Sequence, residues 1–267
     1  MAFIQIEFFS ETLGLDSSAY VIVPQRLRRK AGHVSASYRR PYPLLYLLHG
    51  GSDNHASWMR NSAIERYAEQ YGIAVVMPAV QYSFYSDQKS GFDYFTFLAE
   101  ELPEIMRDFF PVSDRREDTF AAGLSMGGYG AFKLGIRHPE RFAAVASLSG
   151  SLDQRSRLGP DPGIGNRIMV EMAKLTFGSV EEYDRSPNDL AWVLEQHLDS
   201  GAELPAFYMA CGTADHNYAI NEAFYNRFHD RIDLVYERAP DRGHDWGFWD
   251  EYIRRVLAWL PIGGREA

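Results

Sequence analysis

The pentapeptide Gly123-Leu124-Ser125-Met126-Gly127 constrains this chain more than any other stretch. It follows the apolar run Thr119-Phe120-Ala121-Ala122, which has the length and character of a buried strand. An alanine-containing, helix-compatible segment follows it, through Lys133. A strand that turns into a helix this sharply holds the residue at the turn in a strained backbone conformation. Gly123 and Gly127 are needed because helix and neighbouring strand pass too close to the turn for side chains. Ser125 is thereby lifted above the sheet, at the positive end of a helix dipole that favours developing negative charge. Taken alone, the pentapeptide also fits an ordinary glycine-rich turn, so its surroundings decide.

Phe3 to Phe9 and Ser18 to Val23 alternate or run apolar over strand length and predict an antiparallel hairpin at a sheet edge. Pro43 to Leu48 is a continuous apolar run, as in a strand buried on both faces, and it ends in His49-Gly50-Gly51. A helix is expected over Asn61 to Tyr71, capped by Asn61 and ended by Gly72, followed by a buried strand over Ile73 to Pro78. A loop rich in Tyr, Phe and Ser leads to a helix over Tyr94 to Phe110, with Pro103 a candidate kink. The helix after Ser125 extends to about His138-Pro139, and Phe142 to Leu148 reads as the next strand. Further on come a helix over Asn188 to Leu198, a strand over Pro205 to Ala210 and a helix over Ala219 to Asp230. A strand over Ile232 to Glu237 and a closing helix over Trp246 to Leu260 complete the pattern.

Strand and helix alternate, so the expected fold is α/β, with a mostly parallel central sheet covered by helices on both faces. The alternation breaks between Leu152 and Ser186, where Gly and Pro punctuation surrounds a helix around Asn166 to Leu175 and no strand appears. That stretch reads as an insertion beside the site within one domain spanning 1–267, a length ample for a single large core.

A serine hydroxyl is a poor nucleophile until a base takes its proton and a third group holds that base in the right tautomer. On a sheet of this kind the partners follow in the order Ser, then Asp or Glu, then His. Asp215 lies just past the strand ending at Ala210, and His244 just past the strand ending at Glu237. Strand C-terminal ends are where open α/β sheets place their ligands, so Ser125, Asp215 and His244 project onto one edge. Singly, Asp215 also reads as a helix cap and His244 as a surface-loop histidine. His216 competes with His244 as the base but adjoins the acid. Asp241 and Asp245 compete as acids, though they stand too near His244 in sequence to orient it easily.

A tetrahedral intermediate needs backbone N–H donors aimed at its oxyanion. Met126 supplies one by position, and Gly51 in the turn after Leu48 is expected to supply the second, with Gly50 the near alternative. Trp58, Tyr82, Phe84, Tyr85 and Trp246 lie in or near loops on this edge and are candidate walls of a substrate pocket, although any one of them also reads as core. His49 and His55 have no metal-ligand spacing with carboxylates, and neither a dinucleotide fingerprint nor a phosphate loop is present, so no metal or cofactor is expected.

The formal charge of −9 argues against a nucleic-acid partner. The basic run Arg26-Leu27-Arg28-Arg29-Lys30, with Arg39-Arg40 beyond, lacks aromatic interleaving and reads as a solvated loop. No run approaches the roughly 18 apolar residues of a membrane helix, and the N-terminus alternates like a strand, not like a signal peptide. One cysteine, Cys211, fits a reducing compartment, so cytoplasm is the expected location. Exposed apolar edge segments are compatible with a homo-oligomer whose interface the sequence does not place.

The chain resembles the esterase D family of α/β-hydrolases, most nearly its small bacterial tributyrin and acetyl esterases. Leu48-His49-Gly50-Gly51-Ser52-Asp53-Asn54-His55-Ala56-Ser57-Trp58, Gly123 through Ala131 and Gly243-His244-Asp245-Trp246 carry the resemblance, with Phe92 to Pro103 adding to it. It implies an α/β-hydrolase fold and a serine carboxylesterase acting on short-chain acyl esters through an acyl-enzyme. Ser125 would be the nucleophile, His244 the base, Asp215 the acid, and the Met126 and Gly51 amides the oxyanion hole. Relatives include S-formylglutathione hydrolases, which usually carry leucine and threonine where this chain has Gly51-Ser52, and feruloyl esterases, which bind a bulky aromatic acyl group of the kind a site built by the 152–186 stretch could hold. A hydrolase-fold protein that binds a ligand without turning it over is the non-enzymatic alternative, and acyl transfer to an alcohol the alternative within enzymes.

Overall fold

The computed structural model describes residues 1–25, 40–159 and 167–262. The basic run from Arg26 to Lys30, with Arg39, and the stretch Pro160 to Gly163 lie outside them. Among the described residues eight strands form one sheet in the order β1-β2-β4-β3-β5-β6-β7-β8. They are β1 Ala2–Ser10, β2 Leu15–Val23, β3 Leu44–Leu48, β4 Ala74–Pro78, β5 Thr119–Leu124, β6 Ala144–Leu148, β7 Ala206–Gly212 and β8 Leu234–Ala239. The β1–β2 hairpin pairs antiparallel in register from Ala2 opposite Val23 to Ser10 opposite Leu15, and β2 meets β4 antiparallel. From β4 through β8 every pairing is parallel. The expected edge hairpin and parallel body are both present.

The helices are α1 Ser57–Asn61, α2 Ile64–Tyr71, α3 Tyr94–Thr96, α4 Leu102–Phe109, α5 Met126–Arg137, α6 Arg155–Leu158, α7 Arg167–Phe177, α8 Val180–Tyr183, α9 Leu190–Ser200, α10 Tyr218–Phe228 and α11 Trp246–Trp259. Alternation along each central strand divides its side chains between two cores. Leu44, Tyr46 and Leu48 of β3 join Phe132 of α5 and Phe224 and Phe228 of α10 on one face. Leu45 and Leu47 join Ile64 of α2 and Phe248, Ile253 and Val256 of α11 on the other. At about 1.5–3 kcal/mol for each large apolar side chain buried, these two layers hold the sheet and fix where its strand ends point.

Three local expectations are corrected. The helix expected over Asn61 to Tyr71 is two helices, and Asn61 does not cap the second. Asn61 instead turns back to donate to the Ser57 carbonyl oxygen at 2.9 Å, while the Ala63 N–H that opens α2 donates to Asp250 Oδ1 on α11 at 2.9 Å. Pro103 does not break its helix. A π-helical turn over Phe97–Glu101 joins α3 to α4, and the Ala99 carbonyl, which a proline cannot engage, accepts from Arg141 Nη1 at 2.6 Å. The last strand lies two residues later than its apolar pattern indicates, and so runs to Ala239. Among the described residues, no helix is long and apolar enough to cross a membrane.

Candidate active site

Ser125 closes β5 and caps α5 with φ 52° and ψ −113°, a conformation strained for any residue with a side chain. The surrounding glycines explain how that turn is possible. A Cβ on Gly123 would stand 2.9 Å from Gly127 Cα and nearer still to its carbonyl, with no side chain to swing aside. The backbone is pinned on both sides: the Ser125 N–H donates to the Leu148 carbonyl at 2.8 Å, and the Ser125 carbonyl accepts from Ser151 N–H at 3.1 Å.

The strand ends then bring the three expected residues together. His244 Nε2 lies 3.0 Å from Ser125 Oγ, and His244 Nδ1 lies 2.8 Å from Asp215 Oδ2. The second carboxylate oxygen, Oδ1, accepts from Asn217 N–H at 2.8 Å, which closes the turn before α10. Asp215 is thus both turn acceptor and partner of the imidazole. Burial alone would raise its carboxyl, but the hydrogen bond and charge of His244, with the Asn217 N–H and Ser149, hold it below the usual carboxylate range. An ionised acceptor on Nδ1–H selects the tautomer of the neutral ring whose Nε2 lone pair faces the serine.

The competing residues have other roles. Asp245 caps α11, accepting from the Phe248 N–H at 3.0 Å. The exposed Asp241 donates its N–H to Thr213 Oγ1 at 2.9 Å. The His216 ring lies against that of His244 at 4.2 Å, but its Nδ1 is 3.9 Å from Asp215 Oδ1, beyond hydrogen-bond reach. Asp215, His216 and His244 also offer ligand atoms within 4.8 Å of one another. Hydrogen bonding already occupies both nitrogens of His244 and both oxygens of Asp215.

Opposite the elbow, the turn after β3 presents its N–H groups. Its carbonyls are taken in succession: Leu48 O accepts from Trp58 Nε1 at 3.0 Å, His49 O from the Tyr85 hydroxyl at 2.8 Å, and Gly50 O from His49 Nδ1 at 2.8 Å. A peptide N–H points away from its carbonyl, so fixing these oxygens fixes the directions of the Gly50 and Gly51 N–H groups. Among the described residues neither the Gly51 nor the Met126 N–H donates to a protein acceptor, whereas the Gly50 backbone hydrogen-bonds the Asp53 carboxylate. His49 Nε2 accepts from Val80 N–H at 3.3 Å, and burial pushes the imidazole down to about 4, so it is neutral with its proton on Nδ1.

The aromatic candidates divide by burial. Trp58, Phe84 and Tyr85 are fully buried, so these three are core packing and not pocket walls. Trp246 is half-buried and packs edge-on against both Trp58 and Trp249 at 5.1 and 5.3 Å. Tyr82 stays partly exposed, and its Cε1 lies 3.3 Å from where a Cβ on Gly51 would stand. Met169 Cε of α7 lies at the same distance, so the 152–186 stretch reaches over the β3 turn. Sequence reasoning passed over Trp249, whose ring meets His244 edge-on at 4.9 Å while its Nε1 donates to Ser149 Oγ at 3.1 Å. Its only signal was its place on the closing helix, one turn after Trp246.

Residues 32–260 match the family model described as putative esterase. Over 263 residues the chain is 31% identical to an acetyl esterase of Caldicellulosiruptor saccharolyticus, covering 97% of this chain and 98% of that one. A substrate-bound fluorophosphonate-binding serine hydrolase of Staphylococcus aureus superposes with a TM-score of 0.85 at 28% identity, covering 97% of this chain and 98% of the other. An S-formylglutathione hydrolase of the same organism superposes with a TM-score of 0.82 at 28% identity and the same coverage.

Proposed function

This chain belongs to the esterase family and is a carboxylic ester hydrolase of the α/β-hydrolase fold, and from that premise we propose that it cleaves short-chain acyl esters through a covalent acyl-enzyme. The observation that carries this reading is the continuous relay from Asp215 Oδ2 through His244 to Ser125 Oγ, at 2.8 and 3.0 Å, on a strained elbow. Ser125 Oγ attacks the ester carbonyl while His244 Nε2 takes its proton. The oxyanion gathers on the Met126 and Gly51 N–H groups, with Gly50 beside them. The bond to the leaving alkoxide breaks as His244 returns the proton to it. A water that gives its proton to His244 then attacks the acyl-enzyme, and the acid departs as the proton passes back to Ser125.

Met169 and Tyr82 crowd the Gly51 turn, which supports a short acyl group, in keeping with the acetyl esterase relative. The likeness to the Staphylococcus aureus S-formylglutathione hydrolase supports a second reading, in which the acyl donor is a formyl thioester. We place the enzyme in the cytoplasm because its one cysteine, Cys211, is a buried free thiol, and we take 1–267 as one domain with its 152–186 insertion beside the site. The test is a panel of p-nitrophenyl acetate, butyrate and octanoate, methyl ferulate and S-formylglutathione, with Ser125→Ala as control. The acyl-enzyme reading expects rapid fluorophosphonate labelling that Ser125→Ala abolishes, and turnover that falls steeply beyond butyrate. A folded Ser125→Ala enzyme with undiminished turnover would overturn it. Dominance of the thioester would transfer the assignment to the second reading with the mechanism intact.

A further inference from the structure

The segment between β4 and α3 carries strain that its role as a connection does not require. Gln81, Phe84 and Tyr85 have φ of 52°, 51° and 51°, a region that residues with side chains hold only where their surroundings impose it. Phe84 and Tyr85 are moreover fully buried. The cause is a set of contacts made in two directions.

Toward the β3 turn, the Val80 N–H donates to His49 Nε2, the Tyr85 hydroxyl donates to His49 O at 2.8 Å, and the Tyr82 hydroxyl meets Ser52 Oγ. Toward α5, the Tyr85 ring occupies the space a side chain at Gly130 would need, its Cδ2 lying 2.6 Å from such a Cβ. One residue past Tyr85, Ser86 Oγ accepts from Lys133 Nζ at 2.6 Å and donates to the Phe84 carbonyl at 2.9 Å.

Lys133 is itself unusual. It is fully buried on α5, and burial pushes its ammonium well below the usual lysine range. Its second acceptor is Asn188 Oδ1 at 2.6 Å, and it sits over the Phe95 ring at 4.7 Å. Among the described residues no carboxylate lies within ion-pair distance of it. An apolar side chain would fill this place without desolvating an amine.

The two ends of these contacts are the two halves of the oxyanion hole. The β3 turn carries Gly51, and α5 begins at Met126. We propose that residues 80–86 are a strap that registers these halves against each other, with Tyr85 and Lys133 as positioning residues for the acyl-transfer step. Tyr85 holds the His49 carbonyl and so the peptide that leads into Gly50, the Val80 N–H holds the His49 ring whose Nδ1 fixes the Gly50 carbonyl and with it the Gly51 N–H, and Lys133 holds the strap to the nucleophile's helix. This rests on the acyl-enzyme reading given above.

The test compares wild type, Ser125→Ala, Tyr85→Phe, Lys133→Met and the Tyr85→Phe/Lys133→Met double variant. The measurements are kcat and KM for p-nitrophenyl acetate, thermal midpoint, and inhibition by a trifluoromethyl ketone, which binds as a tetrahedral adduct. Because the donors are displaced and not deleted, Tyr85→Phe should lower kcat by about tenfold, less than the roughly 10²–10³ of losing a donor outright. KM should stay within about twofold, and the ketone should lose affinity by the same factor as kcat/KM. Lys133→Met should behave alike, and the double variant should lose no more than about the worse single, because both act through one strap. A folded Tyr85→Phe with kcat within about twofold of wild type overturns the strap. So does a double variant whose losses multiply, or a rate loss fully accounted for by the unfolded fraction. If Lys133→Met does not fold, Tyr85→Phe decides alone. Retained activity in Ser125→Ala would instead strike the underlying reading, whereas an inert Ser125→Ala beside an unaffected Tyr85→Phe would strike only the strap.

Discussion

Gly127 passes so close beneath the β3 turn that a Cβ on it would stand 2.6 Å from the His49 carbonyl oxygen, and closer still to that of Leu48. Both neighbours are backbone, so neither can rotate away. Gly127→Ala therefore forces the elbow and the β3 turn apart. The expected cost is about 1–3 kcal/mol of stability, as for other overpacked sites, together with a fall in kcat of at least about tenfold. Gly159→Ala is the control, since its Cβ would meet nothing nearer than 3.7 Å, and it should leave both quantities unchanged. Chemical denaturation and p-nitrophenyl acetate kinetics on the two variants decide the matter.

The division of labour between the two histidines is open to a sharper test. His244 bonds both Ser125 and Asp215, whereas His216 only packs on its ring. Asp215→Asn leaves the shape intact but puts an amide where Nδ1–H needs an anion, and kcat should drop by about 10⁴ at neutral pH. His216→Ala should keep kcat within about tenfold. A loss in His216→Ala as deep as that in His244→Ala would transfer the role of base.

That Ser125, Asp215 and His244 would meet on one edge was legible because each follows a strand-length run within a few residues, so the signal that locates the strand also locates the residue. The sheet was legible for the same reason. What escaped depends on contacts distant in sequence or on backbone angles that leave no compositional mark. The break between α1 and α2 hangs on Asp250, 187 residues away. Trp58 looked like a pocket wall because nothing local shows that its indole turns inward to the Leu48 carbonyl. Phe84 and Tyr85 sit in a left-handed conformation that their residue types disguise, whereas a glycine there would have announced it.

Trp58 yields a prediction from that correction. Its ring is fully buried and its Nε1 donates to Leu48 O at 3.0 Å. Trp58→Phe removes one hydrogen bond to a buried carbonyl oxygen that the β3–β5 ladder also engages, at a cost of about 0.5–1.5 kcal/mol. Because the ring does not line the cleft, the ratio of acetate to butyrate turnover should stay within about twofold. A thermal melt and the two-substrate ratio measure both halves. A clear change in acyl preference with undiminished stability would restore Trp58 to the pocket wall.

His49 makes stability depend on pH. Burial lowers its pKa from 6.5 to about 4 in the folded protein, while the unfolded chain keeps the ordinary value. Between these values the unfolded state binds more protons than the folded state, so acid favours unfolding. The contribution of neutral His49 is therefore intact above about pH 6.5 and is lost progressively as pH falls toward about 4, below which it changes no further. A difference of this size corresponds to about 3 kcal/mol over the window. His49→Asn, whose carboxamide does not titrate there, should be less stable at neutral pH because the Val80 N–H loses its acceptor. Its stability should nevertheless fall less steeply between pH 6.5 and 4 than that of wild type. Urea denaturation at half-unit pH steps gives both slopes, and parallel slopes would mean that His49 is not the group buried in its neutral form.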